Sequence, residues 1–278
     1  MNSGPTAEQP SRGNLTARKS LGQHFLRSAS ALRQIISAAN IKPAEKILEI
    51  GPGEGVLTEA LLASGASVTA IEKDSRAVAL LKARFDSALR SGQLKILEQD
   101  FLTANLEDFG LNDGGYAVIA NIPYYITGAI LEKSLEEEPR PNRLVLLVQK
   151  EVGERIMARN GKESLLSIAV KIFGRPSLIA KVPRGAFQPP PQVDSVILSI
   201  SEVSGDKLKQ AGLSPEKFFS VLKAGFAHKR KLLRRNLEAV WPSTRINKLW
   251  VTLNLDQNLR AEDLAMETWL TLASQGNH

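Results

Sequence analysis

Residues 46–55 read KILEIGPGEG, an apolar run followed by glycines at positions 51, 53 and 55. The run KILEI is typical of a buried strand, and VLTEALLASG after the loop predicts a helix closed by glycine. A glycine-rich turn between strand and helix lets the backbone approach a ligand at the carboxyl edge of a parallel sheet. Glycine-rich turns that bind nothing are also common, and the spacing G-x-G-x-G departs from the dinucleotide fingerprint G-x-G-x-x-G. The loop alone therefore predicts a strand–turn–helix unit without identifying a ligand.

Segments on both sides of this loop alternate between helical and strand patterns. Residues 28–40 predict a short helix with serine caps. The alternation that follows predicts parallel βαβ units, and hence a doubly wound α/β domain that we expect over residues 15–202. The predicted strands are SVTAIE, LKILEQD, GYAVIAN, RLVLLVQ, SLIAKV and VDSVILSIS, and the helices between them include SRAVALLKARFDSALRSG and TGAILEKSLEEE.

The pattern changes at EVSGDK, after which every segment looks helical. Ser214 has the position of a helix cap, and Pro215 has that of the first helical residue. We therefore expect a small all-helical C-terminal domain at residues 207–278. At the other end of the chain, residues 1–14 predict a disordered lead.

The helical part contains the basic run KAGFAHKRKLLRRNL, which has no acidic residue. Phe219, Leu222 and Phe226 form an apolar stripe on which Arg230 also falls, so we predict a helix break near residues 228–230 that turns the cations outward. Such a run is often only a solvated helix face, and the alternative is a surface for nucleic-acid phosphates. The candidate RNA-binding residues are Lys223, Lys229, Arg230, Lys231, Arg234 and Arg235, with Arg12, Arg18 and Lys19 near the N-terminus.

Composition limits the classes of function. The 278 residues include no cysteine and three histidines, which excludes disulfides and thiolate metal sites and argues against a histidine metal site or triad. A formal charge of +7 favours a polyanionic partner, with nucleic acid before a membrane surface. No apolar run reaches the length of a membrane span, and the N-terminus lacks the apolar core of a signal peptide. We expect a cytoplasmic protein without a metal, and a monomer.

Two acids follow predicted strands at the edge where the glycine loop lies. Glu72 ends the second strand, where a carboxylate can accept hydrogen bonds from both hydroxyls of a ribose. Asp100 ends the third strand. Each alone could be a solvated strand-end acid. With no lysine or arginine expected nearby, the pair is unsuited to a pyrophosphate and favours an adenosine ligand whose other end is cationic or neutral.

The stretch VIANIPYYIT, residues 118–127, leaves the fourth strand at the same edge. It could be a simple strand-to-loop corner. Alternatively, the Asn121 oxygen and the carbonyl before Pro123 accept hydrogens from an exocyclic amine, while Pro123 stiffens the corner and Tyr124 stacks on a base. Tyr125 is either a core residue or a second stacking residue.

The glycine loop and the two acids resemble those of the S-adenosylmethionine-dependent methyltransferases, whose fold is a Rossmann-like doubly wound domain. The resemblance implies that Gly51 and Gly53 pass the methionine end of the cofactor, Glu72 holds the ribose and Asp100 contacts the adenine amine. N-I-P-Y is similar to the [N/D/S]-P-P-Y motif of methyltransferases acting on adenine or cytosine amino groups, which makes Asn121 both a catalytic and a cofactor-side residue.

Five separated motifs resemble those of the ribosomal RNA adenine dimethyltransferases, and in particular the bacterial small-subunit enzymes. They are RKSLGQHFL, EIGPGEGVLT, NIPYYIT, LLVQKEVGERI and AFQPPPQVDSV, within a resemblance spanning residues 15–270. It implies dimethylation at N6 of two adjacent adenosines in the 3′-terminal hairpin loop of 16S rRNA. S-adenosylmethionine is then the methyl donor, and the partner is a late assembly intermediate of the small ribosomal subunit.

Further site residues follow from this resemblance. The G-Q-x-F-L segment implies that Gln23, Phe25 and Leu26 lie over the cofactor. His24 stands where the family commonly has asparagine, so a main-chain contact would survive and a side-chain contact would not. Phe187 resembles the aromatic residue that covers the other face of the target adenine, and its alternative is a core aromatic.

Three competing functions share part of this pattern. A nicotinamide-dependent dehydrogenase would need G-x-G-x-x-G and a hydride-handling His or Tyr–Lys pair, which the sequence lacks. A large-subunit adenine methylase of the antibiotic-resistance type shares the glycine loop and N-I-P-Y. A non-catalytic RNA-binding assembly or transcription factor would not need Glu72, Asp100 and N-I-P-Y.

Overall fold

The structure, a computed structural model, describes residues 15, 16, 18 and 22–276. The predicted N-terminal lead at residues 1–14 lies outside the described residues, and so do the basic residues Arg12 and Lys19. In the described part of the chain, no helix is long and apolar enough to cross a membrane.

A seven-stranded mixed sheet forms the centre of the fold, in the order β4-β3-β2-β5-β6-β9-β7. The strands from β4 to β6 in that order are parallel, whereas β9 runs antiparallel to both of its neighbours. A second, two-stranded sheet pairs β1 with β8. The strands are β1 (Phe25–Leu26), β2 (Lys46–Ile50), β3 (Ser67–Glu72), β4 (Leu94–Glu98), β5 (Tyr116–Asn121), β6 (Arg143–Gln149), β7 (Arg175–Val182), β8 (Phe187–Gln188) and β9 (Ser195–Ser201).

The direction of winding changes between β2 and β5. From β2 the chain proceeds outward through β3 to β4, and it then returns to β5 on the other side of β2 and proceeds to β6. In open α/β sheets, ligands bind outside the carboxyl ends of the strands at such a switch point. The topology therefore places a crevice beside the glycine loop that follows β2.

Helices cover both faces of the sheet, as predicted for a doubly wound domain. Alternation along β2 directs Ile47 to one apolar cluster and Leu48 to the other. The Ile47 cluster contains buried residues of α1 (Ala29–Ala39), α2 (Val56–Ala63) and α3 (Ser75–Arg84). The Leu48 cluster contains buried residues of α5 (Thr127–Glu136), α6 (Lys150–Ile156) and α7 (Leu165–Phe173).

The single helix predicted over residues 75–92 is wrong, because the chain breaks at Phe85. Residues after α3 form a separate short helix, α4 (Asp86–Arg90). Phe85 is 8% exposed and turns into the Ile47 cluster. A Cβ on Gly55 would lie 2.5 Å from the Phe85 ring, so the glycine loop and this break fit together only with glycine at position 55.

The chain after β9 is helical, as predicted. Ser214 caps the second of these helices by accepting from the Lys217 N–H, and Pro215 is its first residue. The predicted break is confirmed, because this helix ends at Phe226 and the next begins at Leu233. The helices are α8 (Asp206–Gln210), α9 (Pro215–Phe226), α10 (Leu233–Leu237), α11 (Ser243–Thr252) and α12 (Met266–Gly276).

These C-terminal helices share the Leu48 cluster with the sheet. Phe218 and Trp269 are fully buried there, together with Phe173 of α7. The loop between α9 and α10 is fixed from below by Asn236, whose side-chain NH₂ donates to the carbonyls of Gly225 (2.6 Å) and His228 (3.2 Å). The exposed loop that carries Lys229, Arg230 and Lys231 is therefore supported by a buried amide.

Candidate active site

A single cleft at the carboxyl ends of β2, β3, β4 and β5 brings together most of the predicted site. Every residue predicted to bind the cofactor lines it, as do three of the four predicted catalytic residues. Phe187 is the exception. The predicted residues lining the cleft are Gln23, His24, Leu26, Gly51, Gly53, Glu72, Asp100, Asn121, Pro123 and Tyr124.

The glycine loop forms one wall of the cleft. Gly53 has φ +56°, a left-handed conformation that side chains disfavour. A Cβ at this position would lie 3.0 Å from the ring of Phe25, so glycine allows the N-terminal segment to close directly over the loop. Gly51 faces the opposite wall, and a Cβ there would lie 3.9 Å from Cδ of Pro123. Only glycine leaves the loop both left-handed and open to a ligand.

Glu72 is held from two sides by main-chain donors. Oε2 accepts from the Gly53 N–H (3.2 Å), and Oε1 accepts from the Asp74 N–H (2.9 Å). Burial raises the pKa of Glu72, against the lowering effect of these donors. A carboxylate has about four acceptor positions, so each oxygen can still accept from one more donor. The remaining acceptor position on each oxygen fits one of the two hydroxyls of a ribose.

Lys73 contradicts the expectation that no cation lies near the two acids. Its Nζ is 3.5 Å from Oδ2 of Asp100 and 3.4 Å from the hydroxyl of Tyr125. Because Lys73 directly follows Glu72 at the end of β3, its side chain reaches across the same rim. The ammonium is paired with Asp100, whose Oδ1 accepts from the Leu102 N–H (3.0 Å).

The N-terminal segment is tied over the cleft through Gln23. Its Nε2 donates to Oδ2 of Asp74 (3.2 Å), and its Oε1 accepts from the Arg18 N–H (2.9 Å). Arg76 also binds Asp74, at 2.6 Å, and hydrogen bonds from Arg76 lower the pKa of Asp74 to about 2. Gln23 thus links this segment to the residue that caps α3. Further along the same segment, Leu26 pairs with Phe187 in the small sheet.

Asn121 and His24 meet across the cleft. The Asn121 Nδ2 donates to the main-chain carbonyl of His24 at 3.1 Å. A carbonyl only accepts, so the NH₂ of Asn121 must face His24 and its Oδ1 must point the other way. The His24 ring donates from Nδ1 to the carbonyl of Pro189 (2.8 Å) and stacks on Tyr124, with centroids 5.7 Å apart. The main chain of His24 therefore orients the Asn121 amide, and its side chain packs against Tyr124.

The two tyrosines of N-I-P-Y-Y have different environments. The Tyr124 hydroxyl lies 2.5 Å from Oγ of Ser195, at the start of β9, and burial raises the pKa of Tyr124. This bond fixes the plane of the ring. Tyr125 is 57% exposed, so its interpretation as a core residue is wrong.

Phe187 belongs to β8 of the small sheet, and its side chain lies in the core. It is 4% exposed, belongs to the Ile47 cluster and does not line the cleft. Its predicted role as the second cover of a base would require the ring to leave that cluster. In this structure the core interpretation of Phe187 holds, and the ring facing Tyr124 is that of His24.

Sequence reasoning missed Glu49, which also lines the cleft. Glu49 is 1% exposed and accepts from the Thr58 hydroxyl at 2.7 Å. Burial, with a smaller contribution from the charge of Glu72, raises the pKa of Glu49 to about 8. The available signal was a carboxylate among the apolar residues of the predicted strand KILEI, directly before the glycine loop. Ser195, the partner of Tyr124, carried no local signal.

The predicted RNA-binding residues fall into two groups. Lys223 pairs with Glu132 (3.3 Å), Arg235 pairs with Glu238 (3.1 Å), and Arg234 donates to side chains of α11 and of the following loop. The second group is exposed in the loop between α9 and α10, and its side chains make no ion pair with other residues that the structure describes. This basic loop consists of Lys229, Arg230 and Lys231.

Within residues 15, 16, 18 and 22–276, no cluster of three or more His, Cys, Asp or Glu side chains could hold a metal ion. Among the charged residues that line the cleft, Lys73 pairs with Asp100, whereas Glu72 accepts from main-chain N–H groups and Glu49 from the Thr58 hydroxyl.

Comparisons with known proteins agree with this geometry. The family described as "Ribosomal RNA adenine dimethylase" matches residues 14–277. A "Ribosomal RNA small subunit methyltransferase A" from Dehalococcoides mccartyi strain CBDB1 is 40% identical over 95% of this chain and 90% of its own. A crystal structure of a dimethyladenosine transferase from Plasmodium falciparum has a TM-score of 0.74 at 29% identity, covering 90% of this chain and 96% of that one. The 23S rRNA methyltransferase ErmE has a TM-score of 0.68 at 26% identity, covering 91% of this chain and 100% of its own.

The family match extends over nearly the whole chain, and it includes the glycine loop, Glu72, Asp100 and Asn121 that the cleft brings together. The chain therefore belongs to the ribosomal RNA adenine dimethylase family of S-adenosylmethionine-dependent methyltransferases.

Proposed function

We propose that this enzyme transfers methyl groups to N6 of two adjacent adenosines in the 3′-terminal hairpin loop of 16S rRNA, on a late assembly intermediate of the small subunit. The observation that carries the proposal is the position of Asn121. Its amide is oriented by His24 and lies in the same cleft as Glu72 and Asp100. An acceptor for an exocyclic amine is thus combined with an adenosine-binding rim.

The cleft fits S-adenosylmethionine, which supplies a methyl group on an electrophilic sulfonium when bound. Glu72 would hold the ribose hydroxyls, because its oxygens keep acceptor positions beside the Gly53 and Asp74 donors. Asp100 would accept from the adenine amine. Gly51 and Gly53 leave the rim free of side chains where the methionine end passes.

Asn121 would act on the target amine. The N6 lone pair of adenine is delocalised into the ring and is a poor nucleophile. Hydrogen bonds accepted by Asn121 Oδ1 and the Ile122 carbonyl favour a pyramidal nitrogen and stabilise its developing positive charge. Pro123 has no N–H and fixes φ, so it keeps these acceptors aimed. Positioning of this kind can supply much of the acceleration without a general base.

Tyr124 would stack on the target base once that base has left the RNA stack. The bond to Ser195 holds the ring in place, so little conformational freedom is lost when a base arrives. Flipping the base outward is required, because a stacked loop adenine cannot reach a cleft at the sheet rim.

The RNA itself would lie along the basic loop. Lys229, Arg230 and Lys231 have no internal acid to balance them among the described residues, so they are available to phosphates. Phosphate contacts give affinity and salt dependence but little sequence specificity, which then comes from RNA shape and base flipping. We infer that residues 15–202 form the catalytic domain and residues 207–278 the RNA-binding domain. We further infer a monomer that acts in the cytoplasm on ribosomal subunits.

A second candidate substrate is 23S rRNA, favoured by the structural similarity to ErmE. The deciding experiment incubates the protein and labelled S-adenosylmethionine with unmodified 30S particles, and separately with 50S particles, and maps the modified nucleotides. We expect two adjacent dimethyladenosines near the 3′ end of 16S rRNA. Labelling of 23S rRNA alone, or of a single distant adenosine, would refute the proposal.

A further inference from the structure

Tyr125 is an exposed aromatic side chain at the mouth of the cleft that the mechanism does not use. Its side chain is 57% exposed, whereas Tyr116 is 1% exposed and Tyr124 is half-buried. Covering an exposed aromatic ring removes apolar surface from water, which lowers the free energy. The ring therefore has the properties of a contact surface.

The ring is held in place by two contacts within the protein. The main chain of Gly22 lies against one side of it, so closely that a Cβ on Gly22 would be 2.9 Å from Cδ1 and 3.1 Å from Cε1 of Tyr125. At the other end, Lys73 Nζ lies 3.4 Å from the hydroxyl. Gly22 has φ +56°, so glycine is required there on both steric and conformational grounds. A fixed ring loses little entropy when a planar partner stacks on it.

The position of the ring links it to the substrate strand. Tyr124 and Tyr125 open the same short 3₁₀ turn, Tyr124–Ile126. Successive side chains of such a turn point about 120° apart. Tyr124 points inward to Ser195, whereas Tyr125 points outward beside Gly22 and Lys73. Tyr125 therefore lies on the outer side of the turn whose inner side holds Tyr124, where a nucleotide next to a base bound at Tyr124 could reach it.

We propose that Tyr125 is a stacking platform for the nucleobase next to the target adenine. This inference rests on the proposed function, because it needs an RNA strand with one base in the cleft. Stacking on an aromatic ring tolerates every base and is worth about 1–3 kcal/mol, which is a factor of roughly 5–150 in affinity. Tyr125 thus contributes substrate affinity, while Asn121 and Tyr124 act at the reacting base.

The test uses full-length Tyr125→Ala, Tyr125→Phe and Tyr125→Trp variants with unmodified 30S particles and labelled S-adenosylmethionine. We expect Tyr125→Ala to raise the KM for particles about tenfold, while kcat and the Kd for the cofactor change less than twofold. Tyr125→Phe and Tyr125→Trp keep a stacking ring, so their KM stays within about twofold of that of the unmodified protein. Ile179→Ala removes another exposed large apolar side chain, 47% exposed on β7 and outside the proposed RNA-binding domain, and serves as the matched control.

Salt dependence separates stacking from charge. Because stacking is not ionic, the KM ratio of Tyr125→Ala to unmodified protein should stay constant between about 50 and 200 mM salt. A KM for Tyr125→Ala within twofold of the unmodified value would overturn the inference. So would a weakened Kd for the cofactor with unchanged KM, since the ring would then belong to closure of the cofactor cleft. If the unmodified protein methylates no RNA, the proposed function itself fails, which is a different outcome.

Discussion

Asn121 donates from its side-chain NH₂ to the carbonyl of His24 across 3.1 Å, although 97 residues separate the two in the chain. This bond decides which way the amide faces. It also joins the N-terminal segment to the corner after β5, so the proposed acceptor for the target amine and the N-terminal segment over the cleft are fixed together.

Replacing Asn121 by alanine should affect chemistry more than cofactor binding. Loss of a preorganised hydrogen-bonding group at the reacting atom typically costs about 10²–10³ in kcat. We expect a loss in that range for Asn121→Ala in methyl transfer to 30S particles, and a much smaller change in the cofactor Kd by calorimetry. A kcat within tenfold of the unmodified value would remove Asn121 from the reacting centre.

Glu72→Gln should weaken cofactor binding by about 10–160-fold, the range expected for losing one charge-assisted hydrogen bond. Glutamine can accept from one of the Gly53 and Asp74 N–H groups, but its NH₂ then faces the other donor. Glu98→Gln is the matched control, because Glu98 lies beside Glu72 in the sheet register and is exposed.

Calorimetry with S-adenosylmethionine measures both variants, and RNA binding should persist in each. Normal methyl transfer by Glu72→Gln would show that the ribose is held elsewhere.

Glu49 should make the stability of the cofactor-free protein depend on pH. Its pKa is raised from 4.5 to about 8 by burial, so between these values the folded state keeps a proton that the unfolded state has released. The free energy of unfolding should therefore fall as pH rises from about 4.5 to 8, and this decline should be absent in Glu49→Gln.

Chemical denaturation of both proteins across this range measures the difference. Below pH 4.5 both states hold the proton, and the two curves should run parallel. Parallel curves over the whole range would mean that Glu49 is not buried as an acid.

Neutralising the basic loop should weaken RNA binding in a salt-dependent way. We expect the triple variant Lys229→Gln, Arg230→Gln and Lys231→Gln to raise the KM for 30S particles. The slope of log K against log salt concentration should become shallower by about 0.7 for each phosphate that the variant no longer neutralises. Arg235→Gln is the comparison, because its charge is already paired with Glu238 and it should change the slope less. An unchanged slope in the triple variant would exclude this loop from the RNA surface.

The order of strands along the chain was enough to predict the fold class and the rim of the cleft. Gly51, Glu72, Asp100 and Asn121 each lie at or just after the end of a strand in the parallel part of the sheet. Because the carboxyl ends of parallel strands meet at one edge, these residues come together whatever the details of packing. The helix break before Leu233 was predicted in the same local way, from an arginine on an apolar stripe.

Which side chains face one another across that cleft could be learned only from the folded chain. Lys73 pairs with Asp100, His24 stacks on Tyr124, Phe187 enters the core and Tyr125 remains outside it. These outcomes depend on contacts between segments far apart in sequence, such as the pairing of β1 with β8. Local periodicity reports which face of its own element a residue occupies, but it carries no information about what packs against that face.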